Sequence, residues 1–283
     1  MTGVQDVGNV RRTRIPRKPR IALMGEFSAG KSTLSNLLLD ARALPEKVTA
    51  TRLAPVWISH GDAPAYRETV DGEKFPVSLD SLEGIPVQET RAIRIELQSD
   101  FLQICDLIDF PGISDPNMSP EVWQRMLPEV DMIVWCTHAT QAWRQSEAAV
   151  WDTMSDAIKA KSLLLVTRFD KLLSEKDRKR VLRRIEKETA GQFLAIYPIS
   201  LTQALAANDD PVIWNRCGAD AFTSRLVEMI MGTPSAPIEL HRKNIGQIGN
   251  SASISKTDLP TIDVSNKLVR RVRSDGPRTA RPS

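Results

Sequence analysis

The chain of 283 residues contains no uninterrupted apolar run of about 18 residues, so the sequence gives no support for a transmembrane helix. It is also poor in histidine and cysteine, with three residues of each. Cys105, Cys136 and Cys217 lie far apart and lack the spacing of metal ligands, and we expect buried free thiols at the first two. The N-terminal segment is basic but has no apolar stretch typical of a secretory signal, which predicts a cytoplasmic protein.

Charge is distributed unevenly along the sequence. The net charge is +3, yet residues 1–20 hold six basic side chains against one acidic one, and residues 232–283 hold nine against four. Basic arms on an acidic globule suit an anionic partner such as lipid or nucleic acid, and the alternative is that they only aid solubility. Both ends are polar and without lasting periodicity, which predicts disordered arms over 1–19 and 233–283 and one domain over 20–232.

The most informative stretch follows an apolar run at 21–24. It fits the pattern G-x-x-x-x-G-K-[ST] of a phosphate-binding loop, between a predicted strand and a predicted helix. Its residues are Gly25, Glu26, Phe27, Ser28, Ala29, Gly30, Lys31, Ser32 and Thr33. The glycines let backbone N–H groups turn towards phosphate oxygens, Lys31 supplies a charge for the β- and γ-phosphates, and the Ser32 hydroxyl suits Mg²⁺. The stretch therefore predicts a nucleoside triphosphate site with Mg²⁺.

Strand-like and helix-like patterns alternate over the rest of the domain. Apolar runs predict strands at 21–24, 55–59, 93–97, 102–108, 130–136, 163–166 and 193–197. Helical spacing predicts helices at 34–39, 120–127, 146–161, 174–188 and 219–231. We expect 93–97 to be an antiparallel edge strand and the turn-rich residues 60–92 to hold an insertion with one short helix near 78–83. The alternation predicts an α/β fold of the P-loop NTPase type, with a mainly parallel sheet covered by helices on both faces.

Two further motifs lie at the ends of predicted strands, where nucleotides bind in such sheets. Asp109 and Gly112 frame an Asp-Phe-Pro-Gly sequence, so the carboxylate can reach Mg²⁺ and the Gly112 N–H can meet a γ-phosphate. Thr167, Arg168 and Asp170 belong to a Thr-Arg-Phe-Asp sequence. Its aspartate can accept the guanine N1–H and 2-amino group, and the arginine can pack on the purine face. These motifs predict guanine as the base.

Ser200, after the last predicted strand, is a candidate to bring backbone N–H groups near the guanine oxygen. Other conspicuous residues have simpler interpretations. His60 and His138 are isolated, and we expect them in a loop or at a strand end. Trp143 either packs in the core or covers the nucleotide pocket or a dimer face. The basic run at 176–180 is most simply a solvated helix face.

The motifs together resemble the GTPase domain of the dynamin superfamily, particularly that of its bacterial members. The resemblance covers about residues 20–232 and includes the phosphate loop, Leu44-Pro45 ahead of Thr51-Arg52, Asp-Phe-Pro-Gly and Thr-Arg-Phe-Asp. It implies binding of GTP and GDP and hydrolysis of GTP with Mg²⁺.

By motif, the resemblance assigns Mg²⁺ to Ser32, Thr51 and Asp109. Thr51 is preferred to Thr49 because Thr-Arg matches the family's switch pattern. Ile113 stands where many small GTPases carry a glutamine that orients the attacking water. An isoleucine has no group that could do so.

In the resembling family a monovalent cation near the loop serine and dimerisation across the nucleotide complete the site. This implies K⁺ or Na⁺ beside Ser28 and a catalytic set of Ser28, Lys31 and Thr51.

The resemblance also bears on the partners. The resembling family usually adds long helices that build a stalk and reach membrane, whereas the non-periodic segment 233–283 follows here. We therefore expect a homodimer across the nucleotide face or a partner dynamin-like chain, with peripheral contact at an anionic inner-membrane surface. The alternatives are a ribosome- or RNA-associated GTPase and a GTP-binding module with little turnover.

Overall fold

The computed structural model describes residues 17–39, 54–79, 82, 84–114, 119–208 and 210–232. The strands within these ranges are β1 Arg20–Gly25, β2 Val56–His60, β3 Tyr66–Thr69, β4 Lys74–Pro76, β5 Thr90–Leu97, β6 Asp106–Asp109, β7 Met132–His138, β8 Leu163–Thr167 and β9 Ala195–Pro198. The helices are α1 Lys31–Leu39, α2 Asp100–Ile104, α3 Pro120–Gln124, α4 Gln145–Asp152, α5 Asp156–Lys159, α6 Glu175–Glu188, α7 Leu201–Ala206, α8 Pro211–Arg216 and α9 Ala219–Met231.

The strands form one sheet in the order β4-β3-β5-β2-β6-β1-β7-β8-β9. From β6 to β9 every neighbouring pair is parallel, while β2 runs antiparallel to β6. The parallel half carries the sequence motifs, because the phosphate loop begins at the last residue of β1 and the other two motifs begin at the last residues of β6 and β8. Their carboxyl ends meet at one edge of the sheet, where ligands bind in open α/β folds.

Both faces of the sheet are covered, as the alternation of strands and helices predicted. Successive side chains of a strand point to opposite faces. Accordingly, Ile21 and Leu23 of β1 join one buried cluster, whereas Ala22 and Met24 join another. The first cluster includes apolar residues of α1, α2, α7 and α9, and the second those of α3, α4 and α6. Trp143 belongs to the second cluster, with its ring edge-on to Trp135 at 6.1 Å, so it packs in the core rather than covering a pocket.

The antiparallel half differs from the sequence prediction. The predicted edge strand at 93–97 is β5, which lies between β3 and β2 and pairs in parallel with β2. The hairpin of β3 and β4 covers it, and these strands of four and three residues were hidden among the turn formers of 60–92. The described residues of the predicted helix at 78–83 lie outside helices.

Two other element predictions were wrong in their bounds. The apolar run 102–108 divides at Cys105 into the end of α2 and the start of β6. Helix α2 begins at Asp100, directly after Ser99, and both residue types are typical of a helix N-terminus. A short apolar run cannot by itself separate strand from helix. The predicted helix at 146–161 is two helices, α4 and α5, because Ser155 caps a new helix start through its hydroxyl.

The three cysteines are buried free thiols. Within the part of the chain that the structure describes, no helix is both long and apolar enough to cross a bilayer. The predicted basic arms lie outside the described residues, except for 17–19 at the start of the domain.

Candidate functional site

The phosphate loop turns where glycine is required. Gly25 has φ +137°, and a Cβ there would lie 2.1 Å from the carbonyl oxygen of Cys136 in the neighbouring strand β7. Gly30 has φ +93°, which side chains rarely adopt. Ser28 takes a left-handed conformation without being glycine, with φ 59°. The loop is therefore a tight turn pressed against β7, and it begins helix α1 at Lys31.

Lys31 is held inside this loop. Its Nζ donates hydrogen bonds to the carbonyl oxygens of Gly25 at 3.1 Å and Glu26 at 2.8 Å, and the residue is 8% exposed. Burial lowers the pKa of Lys31, and the nearby Asp109 opposes this effect. A desolvated ammonium held by two carbonyls of the loop is placed to receive the charge of phosphate oxygens.

The Asp-Phe-Pro-Gly segment packs directly on the phosphate loop. A Cβ on Gly112 would lie 2.9 Å from the backbone of Phe27, so this approach requires glycine. The Ile113 N–H donates to the Gly25 carbonyl at 3.2 Å, and the Phe27 N–H donates to the Ser114 hydroxyl at 3.1 Å. The end of β6 and the loop after β1 therefore form one continuous wall.

Asp109 is suited to a metal. Its Oδ1 is enclosed and has no hydrogen-bond partner among the described residues. Burial raises the pKa of this carboxyl to about 6, although the charge of Lys31 lowers it. An enclosed carboxylate oxygen without a donor fits Mg²⁺, which takes one or two carboxylates and completes its shell with phosphate and water.

Ser32 is the second residue of α1 and lies in its first turn, directly after the phosphate loop closes at Lys31. Within the described ranges, no group of three or more His, Cys, Asp and Glu side chains is placed to hold a metal ion. Thr49, Thr51 and Arg52 lie outside the described residues, and so do Leu44 and Pro45.

The third motif also contacts the phosphate loop. The buried Thr167 hydroxyl donates to the Ala29 carbonyl at 2.7 Å. Arg168 follows in a left-handed conformation with φ 52°, and its guanidinium donates to the Ser28 carbonyl at 3.1 Å. The threonine of this motif thus contacts the phosphate loop directly.

Asp170 lies two residues further on, where its carboxylate is 3.6 Å from the Lys171 ammonium. Ser200 is more constrained than expected. Its N–H donates to the Cys217 carbonyl at 2.9 Å, and its hydroxyl caps α7 by accepting the Gln203 N–H. The structure therefore brings the segment 199–200 beside Phe169 but gives the Ser200 groups protein partners of their own.

Sequence reasoning missed an anchor of the loop. The nearly buried Glu26 carboxylate accepts from the Arg144 guanidinium at 3.0 Å and from the Ser146 hydroxyl. Beside it, the buried Glu147 accepts from the Trp135 indole and the Thr137 hydroxyl, and burial raises the pKa of Glu147. No local pattern could reveal the Glu26–Arg144 pair, because its residues are 118 positions apart.

Three segments that are distant in sequence therefore meet around one glycine-lined loop beside an enclosed carboxylate. Together with the parallel sheet, they define the class of protein as a P-loop GTPase domain. The chain belongs to the dynamin family, since a sequence model described as Dynamin family matches residues 21–169.

Two relatives illustrate the similarity. The chain is 25% identical over 170 residues to Dynamin-like protein 2 of Campylobacter jejuni subsp. jejuni serotype O:23/36 (strain 81-176). This match covers 58% of the chain and 27% of the relative, so the chain spans about a quarter of the relative's length. A solved chain of an oligomerised bacterial dynamin pair, described as a mechanism for long range sensing and tethering of membranes, has a TM-score of 0.60 at 19% identity. It covers 76% of this chain and 46% of that chain, and it shows the fold alone.

Proposed function

We propose that the chain binds GTP with Mg²⁺ and hydrolyses it to GDP and phosphate. The observation that carries this proposal is the contact of both the Asp-Phe-Pro-Gly and the Thr-Arg-Phe-Asp segments with the phosphate loop. Gly112 abuts Phe27, and Thr167 and Arg168 bond to the carbonyls of Ala29 and Ser28. A nucleotide on this loop would then have γ-phosphate contacts on one side and base contacts on the other.

The residue roles follow from this arrangement. Lys31 would leave the loop carbonyls for the β- and γ-phosphates, because a phosphate oxygen is a stronger acceptor for an ammonium than a carbonyl. Ser32 and Asp109 would hold Mg²⁺, which neutralises phosphate charge when bound. Thr51 is proposed as the switch ligand of Mg²⁺ from its sequence motif.

Asp170 is the proposed reader of guanine. A carboxylate can accept two hydrogen bonds from the guanine N1–H and amino group, whereas adenine offers no such pair. Arg168 is exposed at the Thr167 end of the motif and already contacts the loop, so its aliphatic stem is available to the purine face. Ser200 contributes through the position of its segment, since its N–H and hydroxyl have partners in the protein.

Turnover is proposed to need a monovalent cation and a second chain. Ile113 bonds through its backbone to Gly25 and packs its side chain against the second core cluster, so it supplies no group to orient water. Ser28 is exposed at the tip of the loop and strained in the left-handed region. We assign it to a K⁺ or Na⁺ ion, which would supply positive charge to the phosphates when bound, and we assign the nucleotide face to a homodimer or a partner dynamin-like chain.

The same proposal includes peripheral association with an anionic membrane surface at the inner face of a membrane. It is supported by the solved bacterial dynamin pair, which is described as sensing and tethering membranes, and by the excess of basic residues at both ends of the sequence.

The test is a set of GTP hydrolysis rates in K⁺, Na⁺ and choline at constant ionic strength, over a range of protein concentrations. The rate per chain should rise with concentration and with K⁺, and Ser28→Ala should lower turnover more than GTP affinity. Lys161→Ala, an exposed change in the loop before β8, is the control. Absence of hydrolysis under all conditions would contradict the enzymatic function and favour a GTP-binding module with little turnover. Equal rates in choline and K⁺ would contradict the role of a monovalent cation.

A further inference from the structure

Helix α6 segregates its charges more strongly than a solvated helix face requires. It contains seven basic and four acidic residues. At 3.6 residues per turn, six of the basic residues fall within a sector of roughly 140°, opposite the buried Ile185. We call this sector the basic stripe, and it consists of Lys176, Lys179, Arg180, Arg183, Arg184 and Lys187. All four acidic residues of the helix lie outside the sector.

Most of this charge is uncompensated. Arg180 pairs with Asp177 at 2.9 Å and Arg184 with Glu188 at 3.8 Å, both as surface pairs within the helix. The other four members of the basic stripe form no ion pair with any residue that the structure describes. A helix that balanced its own charges would alternate signs along a face. Here the acidic residues flank the stripe, and the outermost line of the helix is cationic alone.

An exposed apolar residue accompanies the basic stripe. Leu173, just before the helix, is 92% exposed, although leucine gains by burial. Leu172, Leu173 and Val181 line an open depression of about 620 Å³, whose charged lining residues include Asp177 and the stripe members Arg180 and Arg184. The segment is fixed rather than frayed, because Arg178 donates to the Leu172 carbonyl at 2.8 Å. Cations and an apolar side chain therefore share one firmly held surface.

We propose that the basic stripe and Leu173 form a docking surface for an anionic phospholipid bilayer. A row of cations along one helix face matches phosphate headgroups, and an exposed leucine at its edge can enter the boundary between headgroups and acyl chains. A nucleic acid would use the cations but would gain nothing from an aliphatic side chain, since bases stack on aromatic rings or guanidinium planes. The inference rests on the proposed membrane association and assigns it to the folded domain rather than to the arms.

The experiment uses the full chain and a pair of triple variants with the same change in net charge. The stripe variant carries Lys176→Gln, Lys179→Gln and Arg183→Gln, which keep good helix formers on α6. The control variant carries Lys74→Gln, Lys161→Gln and Arg216→Gln, all at exposed positions off the helix. Sedimentation with mixed phosphatidylglycerol–phosphatidylcholine vesicles measures binding, pure phosphatidylcholine tests the charge requirement, and double-stranded RNA tests the nucleic-acid alternative.

Basic residues near an anionic bilayer contribute roughly 1 kcal/mol each, so the stripe variant should bind the mixed vesicles about a hundredfold more weakly. The control variant should stay within a few-fold of the wild type. Leu173→Ser should weaken vesicle binding and leave RNA binding unchanged. Added salt should reduce wild-type binding, as expected for exposed charges.

Equal binding of the two triple variants would overturn the inference and leave the membrane contact elsewhere. Tighter binding to RNA than to vesicles, with no effect of Leu173→Ser, would overturn it in favour of a nucleic acid. Wild-type chain that binds no vesicles would refute the membrane association itself. GTP hydrolysis in solution is measured on the same variants and on Lys31→Ala. The Lys31→Ala chain should lose hydrolysis while still binding vesicles. This result would separate the membrane inference from the proposed enzymatic function.

Discussion

The phosphate loop and helix α6 hold their charges in opposite ways. At the loop, Lys31 and the neighbouring Asp109 at the end of β6 are enclosed, and burial shifts the pKa of each against its charged form. On α6 the charges are exposed, so water screens them and each contributes little alone. An enclosed site is therefore sensitive to single residues, whereas an exposed face acts through the sum of its charges. This contrast can be tested one substitution at a time.

The largest effect is expected at Lys31. Lys31→Ala removes the charge closest to the proposed phosphates, and GTP turnover should fall by about 10³-fold or more. The free energy of unfolding should not fall, because burial disfavours the charged form of Lys31 in the folded protein, as its lowered pKa indicates. Rates and denaturant unfolding of the same preparations test this pair of results. A folded Lys31→Ala chain with wild-type turnover would place the nucleotide elsewhere.

Gly25 tests the backbone of the loop. Gly25→Ala forces a Cβ towards the Cys136 carbonyl at 2.1 Å in a conformation with φ +137°, and should lower the free energy of unfolding by about 3 kcal/mol or more. Gly191→Ala is the control, since its φ is +74° and nothing lies within 4 Å of the added Cβ. That change should cost about 1–2 kcal/mol, because a left-handed conformation is unfavourable for a residue with a Cβ. Similar losses in both variants would mean that the loop tolerates a shift away from β7.

Asp109 makes the stability of the folded protein depend on pH. Its pKa of about 6 lies above the ordinary value of 3.8, so the folded protein holds this proton more tightly than the unfolded chain. Below about pH 4 the carboxyl is protonated in both the folded and the unfolded protein, and its burial carries no charge penalty. As the pH rises to about 6 the carboxyl ionises first in the unfolded chain, because burial disfavours the charge in the folded protein, and the free energy of unfolding falls by up to about 3 kcal/mol. Asp109→Asn should flatten that part of the stability profile measured without Mg²⁺. Identical profiles in the two proteins would contradict the enclosed carboxylate.

The smallest effect is expected on α6. Arg183→Gln alone should change the free energy of unfolding by no more than about 0.5 kcal/mol, because Arg183 is exposed and has no ion-pair partner among the described residues. GTP turnover in solution should also stay at the wild-type level. Thermal unfolding and a rate assay measure both. A loss as large as that of Gly25→Ala would show that α6 is not the exposed, additive surface described above.

The parts of the molecule with regular patterns were predictable from sequence. The helix at 219–231 has the predicted bounds, and the predicted helix at 174–188 begins one residue later, after its Ser174 cap. The position of each motif in the parallel half was also predictable, because each motif comes directly after an apolar run that forms a strand. Short strands such as β3 and β4 could not be found, since four residues among turn formers carry no periodicity.

Contacts between distant segments were equally hidden. The pairing of Glu26 with Arg144 depends on how β7 and α4 lie beside the loop, which no local pattern encodes. The basic stripe was visible as a run of charge, but its separation from the acidic residues emerged only on the helix surface. The role of Ser200 as a helix cap likewise depended on the short helix α7, which was not predicted.

The central claim, that the loop and the Thr-Arg-Phe-Asp segment form one guanine nucleotide site, is tested most directly by exchanging the base. Affinities for GTP, ATP and xanthosine triphosphate are measured by titration calorimetry on the wild type, on Asp170→Asn and on the exposed control Asp152→Asn. The wild type and the control should prefer GTP. Asp170→Asn should lose roughly 1.5–3 kcal/mol of GTP binding and gain preference for xanthosine triphosphate, whose base edge carries a carbonyl where guanine has its amino group. Unchanged GTP affinity in Asp170→Asn would contradict the account.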